Sequence, residues 1–410
     1  MTLSPLKALA ALGLVVALTA CTSLRGVLVP VAGTVPGTSK VDMLVATTRL
    51  KADPAEMFSG SRGTSLSFAN IVVSIPPESA RRVGDVQFPS KVPGNPATDF
   101  VTQKADIIDR KQALQWFNRT VAQVPQHRVL VFIHGFNNRF DDAVFRFAQI
   151  VHDAGTPVVP VLFTWPSRGS LLAYGWDRES STYSRNALED VLRAIAKDPS
   201  VGEITVLAHS MGNVVTLEAL RQMAIRDGRV APKIRNVLLA APDVDVDLAR
   251  QEITDMGPNH PNFTLFVSAD DRALAFSRRV WGDAVRLGAI DPEVEPYRTE
   301  LENSKINVVN LTTLTSDDRL NHSKFASSPE VVQMIGRQLA TGQKLTDSRV
   351  GVGDVIIGAT AGAAAAVGKA AGVVVSAPVA ILDPQSRDTF GEHVQDLGQT
   401  ITGQQPAAPQ

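Results

Sequence analysis

Between residues 129 and 340 the chain alternates short apolar runs with longer segments whose apolar residues recur at three- and four-residue steps. Uninterrupted apolar runs of five or six residues predict strands buried on both faces, and the three/four spacing predicts amphipathic helices packed over them. Val129–Ile133 predicts a strand followed by a helix over Asp141–Asp153, and Val158–Phe163 a second strand. A helical stretch runs from after "TWPSRGS" to about Lys197. Ile204–Ala208 is strand material, followed by Val214, Val215, Leu217, Leu220 and Met223 at helical spacing. "IRNVLLAAPD", "FTLFVSADD" and "INVVNLTTL" predict three more strands, with helical pieces at Val246–Ile253, Leu274–Val280 and Pro329–Ala340. Upstream, Val41–Thr48 and Ser67–Ile75 are β-type, residues 76–100 are a polar, proline-spotted connection, and Ala105–Val121 predicts a helix through Ile107, Ile108, Leu114 and Phe117. The expected class is α/β, a mostly parallel sheet with helices on both faces. Chemistry in such sheets gathers at the carboxyl ends of the strands.

The flanks differ from this core. Residues 1–20 carry Lys7, an apolar stretch from Ala8 to Ala17 too short for a comfortable membrane span, and then Leu-Thr-Ala before Cys21. That ending matches a bacterial lipobox, so Cys21 is expected to be lipidated and to anchor the chain in the cell envelope. Thr22 follows where inner-membrane lipoproteins of enteric bacteria tend to carry aspartate, which favours the outer membrane and its periplasmic face. Residues 21–40, rich in Gly, Pro, Ser and Thr, are expected to be a tether, 41–341 the folded domain, and 342–410 a Gly/Ala-rich hydrophobic segment with a disordered tail. With 44% hydrophobic and 20% charged residues the composition is globular, and a formal net charge of −1 without a basic run gives nucleic acid no footprint. A single cysteine excludes an intrachain disulfide and a cysteine-built metal site. The chain contains neither a GxxxxGK phosphate loop nor an HExxH zinc motif, so no cofactor or metal is expected.

The stretch "EITVLAHSMGN" concentrates the candidate chemistry. A strand, a sharp turn bearing Ser210 and then a helix is the layout of a nucleophile elbow, in which small neighbours let two backbones pass closely. Gly212 is one such neighbour, and Ala208 stands where the first glycine of G-x-S-x-G is expected. A serine hydroxyl needs a base, and the base needs a carboxylate to hold its tautomer. Of seven histidines, His322 lies just after the last strand, where a late base would overhang the sheet. His134 ends a strand, and His209, adjacent to the serine, should point to the other side of the turn. His127, His152 and His260 have no special context. Asp271 is favoured as the acid, since two residues separate it from Leu274 at the start of the next helix. Asp270 and Asp243 are the alternatives, with Asp245 and Asp247 nearby, and whichever of Asp270 and Asp271 is not the acid should cap that helix. The remaining need is a pair of oxyanion donors. The N–H of Met211, after the serine, supplies one, and the N–H of Phe136 in "VFIHGFNN", freed by the turn at Gly135, supplies the other. Trp165 and Arg168 could rim a pocket.

The order Ser…Asp…His with a preceding His-Gly loop resembles the α/β-hydrolase superfamily. The stretches "VFIHGFNN", "LAHSMGN", "LLAAPDVDVD" and "VSADDRALAFSRR" resemble a bacterial esterase/lipase-like branch of unknown function, over roughly residues 41–341. The resemblance implies an α/β-hydrolase fold, Ser210 as nucleophile, Asp271 as orienting acid, His322 as base, and Phe136 and Met211 as oxyanion donors. The sequence departs from that pattern at Ala208 and at Asn321, where relatives often carry glycine before the base. A lipid-anchored serine hydrolase acting on small-molecule or lipid esters through an acyl-enzyme is the expectation. An acyltransferase, or a non-catalytic envelope protein using the fold as a binding scaffold, is the alternative.

Overall fold

The computed structural model describes residues 24–304, 306–314 and 318–341; the lipobox with Cys21 and the Gly/Ala-rich segment fall outside these. The nine described strands form one sheet: β1 (Ser39–Lys51), β2 (Phe58–Ile75), β3 (Val101–Ile108), β4 (Arg128–Ile133), β5 (Val159–Thr164), β6 (Glu203–His209), β7 (Ile234–Ala240), β8 (Asn262–Val267) and β9 (Asn307–Asn310). Their spatial order is β3-β2-β1-β5-β4-β6-β7-β8-β9. From β1 to β9 every pairing is parallel, whereas β2 and β3 add antiparallel at the β1 edge.

The apolar runs divide between two cores. Val129, Val131 and Ile133 of β4 belong to one, whereas Leu130 and Phe132 belong to the other, and β6 and β7 alternate in the same way. The first core is closed by α1 (Arg110–Gln123), α3 (Tyr174–Tyr183), α4 (Arg185–Lys197), α5 (Gly212–Asp227) and α6 (Val246–Asp255). The second is closed by α2 (Phe140–Ala154), α9 (Lys324–Ser327) and α10 (Pro329–Thr341). Two further helices, α7 (Arg272–Val280) and α8 (Tyr297–Ser304), lie between β8 and β9. This is a mostly parallel α/β sheet covered on both faces.

Two expectations need correction. Residues 105–108 are strand: they pair antiparallel with β2, Ala105 opposite Ile71 and Ile108 opposite Phe68. The helix starts at Arg110, where Asp109 caps it reciprocally with Gln112, so Ile107 and Ile108 follow the pleat and not the helical stripe. The long helix after "TWPSRGS" is divided at Ser184, whose hydroxyl turns back to the Ser180 carbonyl at 2.8 Å and meets Thr48 Oγ1 of β1 at 2.8 Å. The stretch expected to be a tether is mostly exposed where it is described and touches the folded domain at a few points. Val27 and Leu28 are buried, Val31 N–H bonds to Thr102 O, and Arg25 pairs with Glu56.

Candidate active site

Ser210 occupies the tight turn between β6 and α5 with φ +53°, a left-handed conformation that costs a non-glycine residue energy. The surroundings hold it there. Ser210 N–H donates to Ala240 O, and the Ser210 carbonyl accepts from Asn213 N–H at 3.1 Å, Asn213 Nδ2 at 2.9 Å and Asp243 N–H at 3.2 Å. Small neighbours are required by the packing: a Cβ on Gly212 would lie 2.4 Å from His134 O, and one on Gly135 would lie 2.8 Å from Ser210 Cβ. The elbow and the His-Gly loop after β4 are therefore in direct contact. Among the described residues, the N–H groups of Phe136 and Met211 donate to no protein acceptor.

The His322 ring and the Asp271 carboxylate meet, Nδ1 to Oδ2, at 2.7 Å. Asp271 begins α7 at the end of β8, and its other oxygen accepts from Leu274 N–H at 2.9 Å. One carboxylate thus caps the helix and holds the His322 ring, against the expectation that its neighbour would be the cap. Asp270 instead pairs with the buried Lys324 at 2.8 Å. Asp243, the other alternative, makes no bond to His322. It accepts from Tyr174 Oη at 2.7 Å and Ser277 Oγ at 2.5 Å, beside the Arg286 guanidinium.

Burial alone would lower the His322 pKa, but the charge of Asp271 and its hydrogen bond outweigh that and raise it above the ordinary imidazole value. The loop carrying His322 is fixed on several sides. Asp318 accepts from the N–H groups of His322 and Ser323 at 2.8 Å each, and Asn321 Nδ2 donates to Asp270. Lys324 Nζ donates to Ser268 Oγ, Leu311 O and Thr312 O as well as to Asp270. Asn321, standing where relatives often have glycine, has φ +57°, a region asparagine tolerates better than most residues. His209 contacts the same loop, its Nε2 3.2 Å from His322 O and its ring 4.8 Å from the His322 ring. His322 is thereby kept next to the residue that precedes the serine. Among the described residues no hydrogen bond joins Ser210 Oγ to the ring, and catalytic hydrogen bonds are often long until substrate binds.

The loop carrying Phe136 has its own buried support, which residue patterns did not reveal. His134 is neutral, its pKa lowered to about 3 by burial and by the Arg49 charge. Its Nδ1 donates to Gly135 O, while Nε2 lies 3.3 Å from Arg49 Nη2 and 3.2 Å from Trp165 N. Arg49, at the carboxyl end of β1 and 1% exposed, also donates to Asn138 O and Ser167 O. Asp177 accepts from Ser167 Oγ, Arg168 N and Asn137 N. Trp165 does not rim a pocket: it is fully buried, stacked on His134 at 4.8 Å. Arg168 is exposed, its guanidinium 3.9 Å over the Trp176 ring. A lone arginine ending a buried strand, as in "ATTRLK", was the available signal for Arg49; nothing in the sequence pattern distinguished Asp177, Asp318 or Lys324.

The model of an α/β-hydrolase family of unknown function, DUF900, matches residues 109–338. An uncharacterized protein of Nostoc sp. (strain PCC 7120 / SAG 25.82 / UTEX 2576), alr1448, is 25% identical over 152 residues, 31% of this chain and 39% of that protein. The match to this curated relative thus spans well under half of its length. A protein presented as a cell surface hydrolase from Lactobacillus plantarum WCFS1 aligns with 53% of this chain and 92% of its own, at 10% identity and TM-score 0.32. The RedJ thioesterase of Streptomyces coelicolor aligns with 53% and 87%, at 14% identity and TM-score 0.30.

Proposed function

Because the chain belongs to the DUF900 family of α/β-hydrolases, we propose that it is a serine hydrolase that cleaves carboxylic esters through an acyl-enzyme. The observation that carries this reading is the 2.7 Å contact between Asp271 and His322 Nδ1, on a loop held beside a strained serine elbow. With Nδ1–H committed to Asp271, Nε2 is left with its lone pair and can take the hydroxyl proton of Ser210 as the oxygen attacks the acyl carbon. The N–H groups of Phe136 and Met211 would stabilise the oxyanion. The imidazolium, stabilised by Asp271, then protonates the departing alcohol. Water, deprotonated by the same ring, attacks the acyl-serine, and the acid leaves with Ser210 restored. In this reading Cys21 carries lipid and holds the enzyme to the bacterial envelope, on the periplasmic face of the outer membrane.

A fluorophosphonate probe applied to the full chain and to Ser210→Ala tests the nucleophile. Labelling of the parent and not of the variant is expected; equal labelling of both, or of neither, overturns the assignment. Turnover of short against long acyl esters, with and without an acceptor alcohol, separates esterase, lipase and acyltransferase chemistry.

A further inference from the structure

The carboxyl edge of the sheet carries an apolar rim that neither the core nor the proposed chemistry uses. Leu171 and Leu172, in the 3-10 turn after β5, are 65% and 98% exposed. Phe276 and Val280 are four residues apart on one face of α7, and Trp281 ends that helix; all three are about half exposed. Tyr174 links the two segments and the candidate site. Its ring lies 5.0 Å from Phe136 in the proposed oxyanion loop and 6.2 Å from Trp281, and Leu171 and Leu172 lie three and two residues before it. Single exposed leucines are ordinary on a protein surface, but a cluster beside a catalytic mouth marks a contact surface.

The chain enters the fold at this same edge. Arg25 is tied to Glu56 at 3.2 Å, Leu28 is buried, and both line a recess with Phe58, Arg139, Ser167 and Arg168. Ser167 and Arg168 follow β5 at its carboxyl end, four and three residues before Leu171. Three residues separate Cys21 from Arg25, and the four steps between them, fully extended, span no more than about 14 Å. A lipid on Cys21 could not hold the opposite edge of the sheet against a bilayer. The exposed Arg168 adds positive charge on this side, whereas the charge of Arg25 is paired with Glu56. No helix among the described residues is long and apolar enough to cross a membrane.

We propose that the carboxyl edge docks on the bilayer that holds the Cys21 lipid, with Leu171, Leu172, Phe276, Val280 and Trp281 in the interface, so that the ester is taken from membrane lipid. The proposal rests on the hydrolase reading for its substrate and on the lipobox for its anchor, while the docking itself can be read without activity. Thioether-linked Cys21 is the chain's one cysteine, so Leu172→Cys, or Arg229→Cys in the loop after α5, offers a single thiol for a bimane label. The lipidated full chain is placed in phosphatidylethanolamine/phosphatidylglycerol vesicles with brominated acyl chains. Blue-shifted, bromine-quenched emission at position 172 and not at 229 is expected. Equal emission at the two positions overturns the docking, and so does labelling of the unsubstituted chain, which would reveal a free Cys21 thiol. Leu171→Glu with Leu172→Glu should lower turnover of a vesicle-borne fluorogenic acyl ester by on the order of tenfold or more, with a short soluble ester turned over as before. Parallel loss on both esters, or on neither, overturns the role of the rim. Bilayer contact at 172 in a chain that cleaves no soluble ester supports the docking and removes the hydrolase reading alone.

Discussion

Asp271 performs two tasks with two oxygens, and substitution can separate them. Oδ2 meets His322 Nδ1 at 2.7 Å, and Oδ1 accepts from Leu274 N–H at 2.9 Å to cap α7. Asp271→Asn keeps an oxygen for the cap, since asparagine and aspartate cap helices about equally well. It presents an NH2 group to the ring in place of the second oxygen. The ring then turns its Nδ1 lone pair toward that donor and carries its proton on Nε2, the tautomer that cannot accept from Ser210. A loss of about 10³–10⁴-fold in kcat follows. Asp271→Ala makes the same loss and also leaves Leu274 N–H without its partner in a buried position. That N–H costs about 1 kcal/mol, or roughly 2–4 °C in Tm for a domain of this size.

The two variants therefore differ in stability and not in activity, and kcat beside differential scanning fluorimetry reads both. The pH profile supplies the sign. His322 must be neutral to act as base, and Asp271 holds its pKa above about 6.5. The parent's kcat/KM should thus rise with pH through an apparent pKa above that value, and the residual activity of Asp271→Asn should rise through a lower one. The folded pKa is raised, so the ion pair's contribution to stability is fully present below about pH 6.5 and fades as pH climbs through the folded value. Asp271→Asn retaining activity within about tenfold of the parent would refute the orienting role, and an alanine variant no less stable than the asparagine one would refute the cap.

Lys324→Met leaves Leu311 O, Thr312 O and Ser268 Oγ without a common donor, and should cost about 2–3 kcal/mol in urea unfolding, together with loss of ester turnover as the base loop loosens. Gly135→Ala places a Cβ 2.8 Å from Ser210 Cβ and 3.0 Å from His209 Nδ1, and should lower kcat with a cost of about 1–3 kcal/mol, read by the same two assays. Arg49→Met removes the donor shared by His134, Asn138 and Ser167 and should lower kcat about 10²-fold by misplacing the oxyanion loop; unchanged kcat with lowered Tm would assign Arg49 to packing alone.

The parallel half of the fold was legible because strands buried on both faces must be apolar at every position, as "VLVFI" and "VLLA" are. Boundaries failed where one pattern shades into another. Ile107 and Ile108 suit either a strand or a helical stripe, and only the capping pair Asp109 and Gln112 marks the change. Asp271 and His322 were legible by position in the chain, and the structure brings them together. The groups that hold them were not. Lys324 acts through groups 12 to 56 residues away, Asp318 through backbone N–H groups four and five residues on in its own loop, and Asp177 through Ser167 Oγ and the backbone of Asn137. Local periodicity carries none of that information. The packing of Val27 and Leu28 was hidden for a related reason, since two apolar residues among Gly and Pro form no period.

The strands that precede the family match bear on the site as directly as those within it. The match begins at residue 109, yet Arg49 on β1 donates to Asn138 O at 2.9 Å and sits against His134, inside the loop that carries Phe136. Burial lowers the Arg49 pKa to about 10, with Asp177 the foremost opposing charge, so the guanidinium still carries its proton at neutral pH. A buried cation is costly unless its donors are used. Here Nη1 and Nη2 are spent on Ser167 O, Asn138 O and the His134 ring, groups drawn from the β4 and β5 loops. Pairing of β1 with β5, from Leu44 opposite Val161 to Thr47 opposite Thr164, sets the depth at which that guanidinium arrives. A shift of one residue in this register would turn the Arg49 side chain to the other face of the sheet. The antiparallel pairing of β1 with β2 therefore supports the site from a distance, by fixing the strand that delivers the cation to the oxyanion loop.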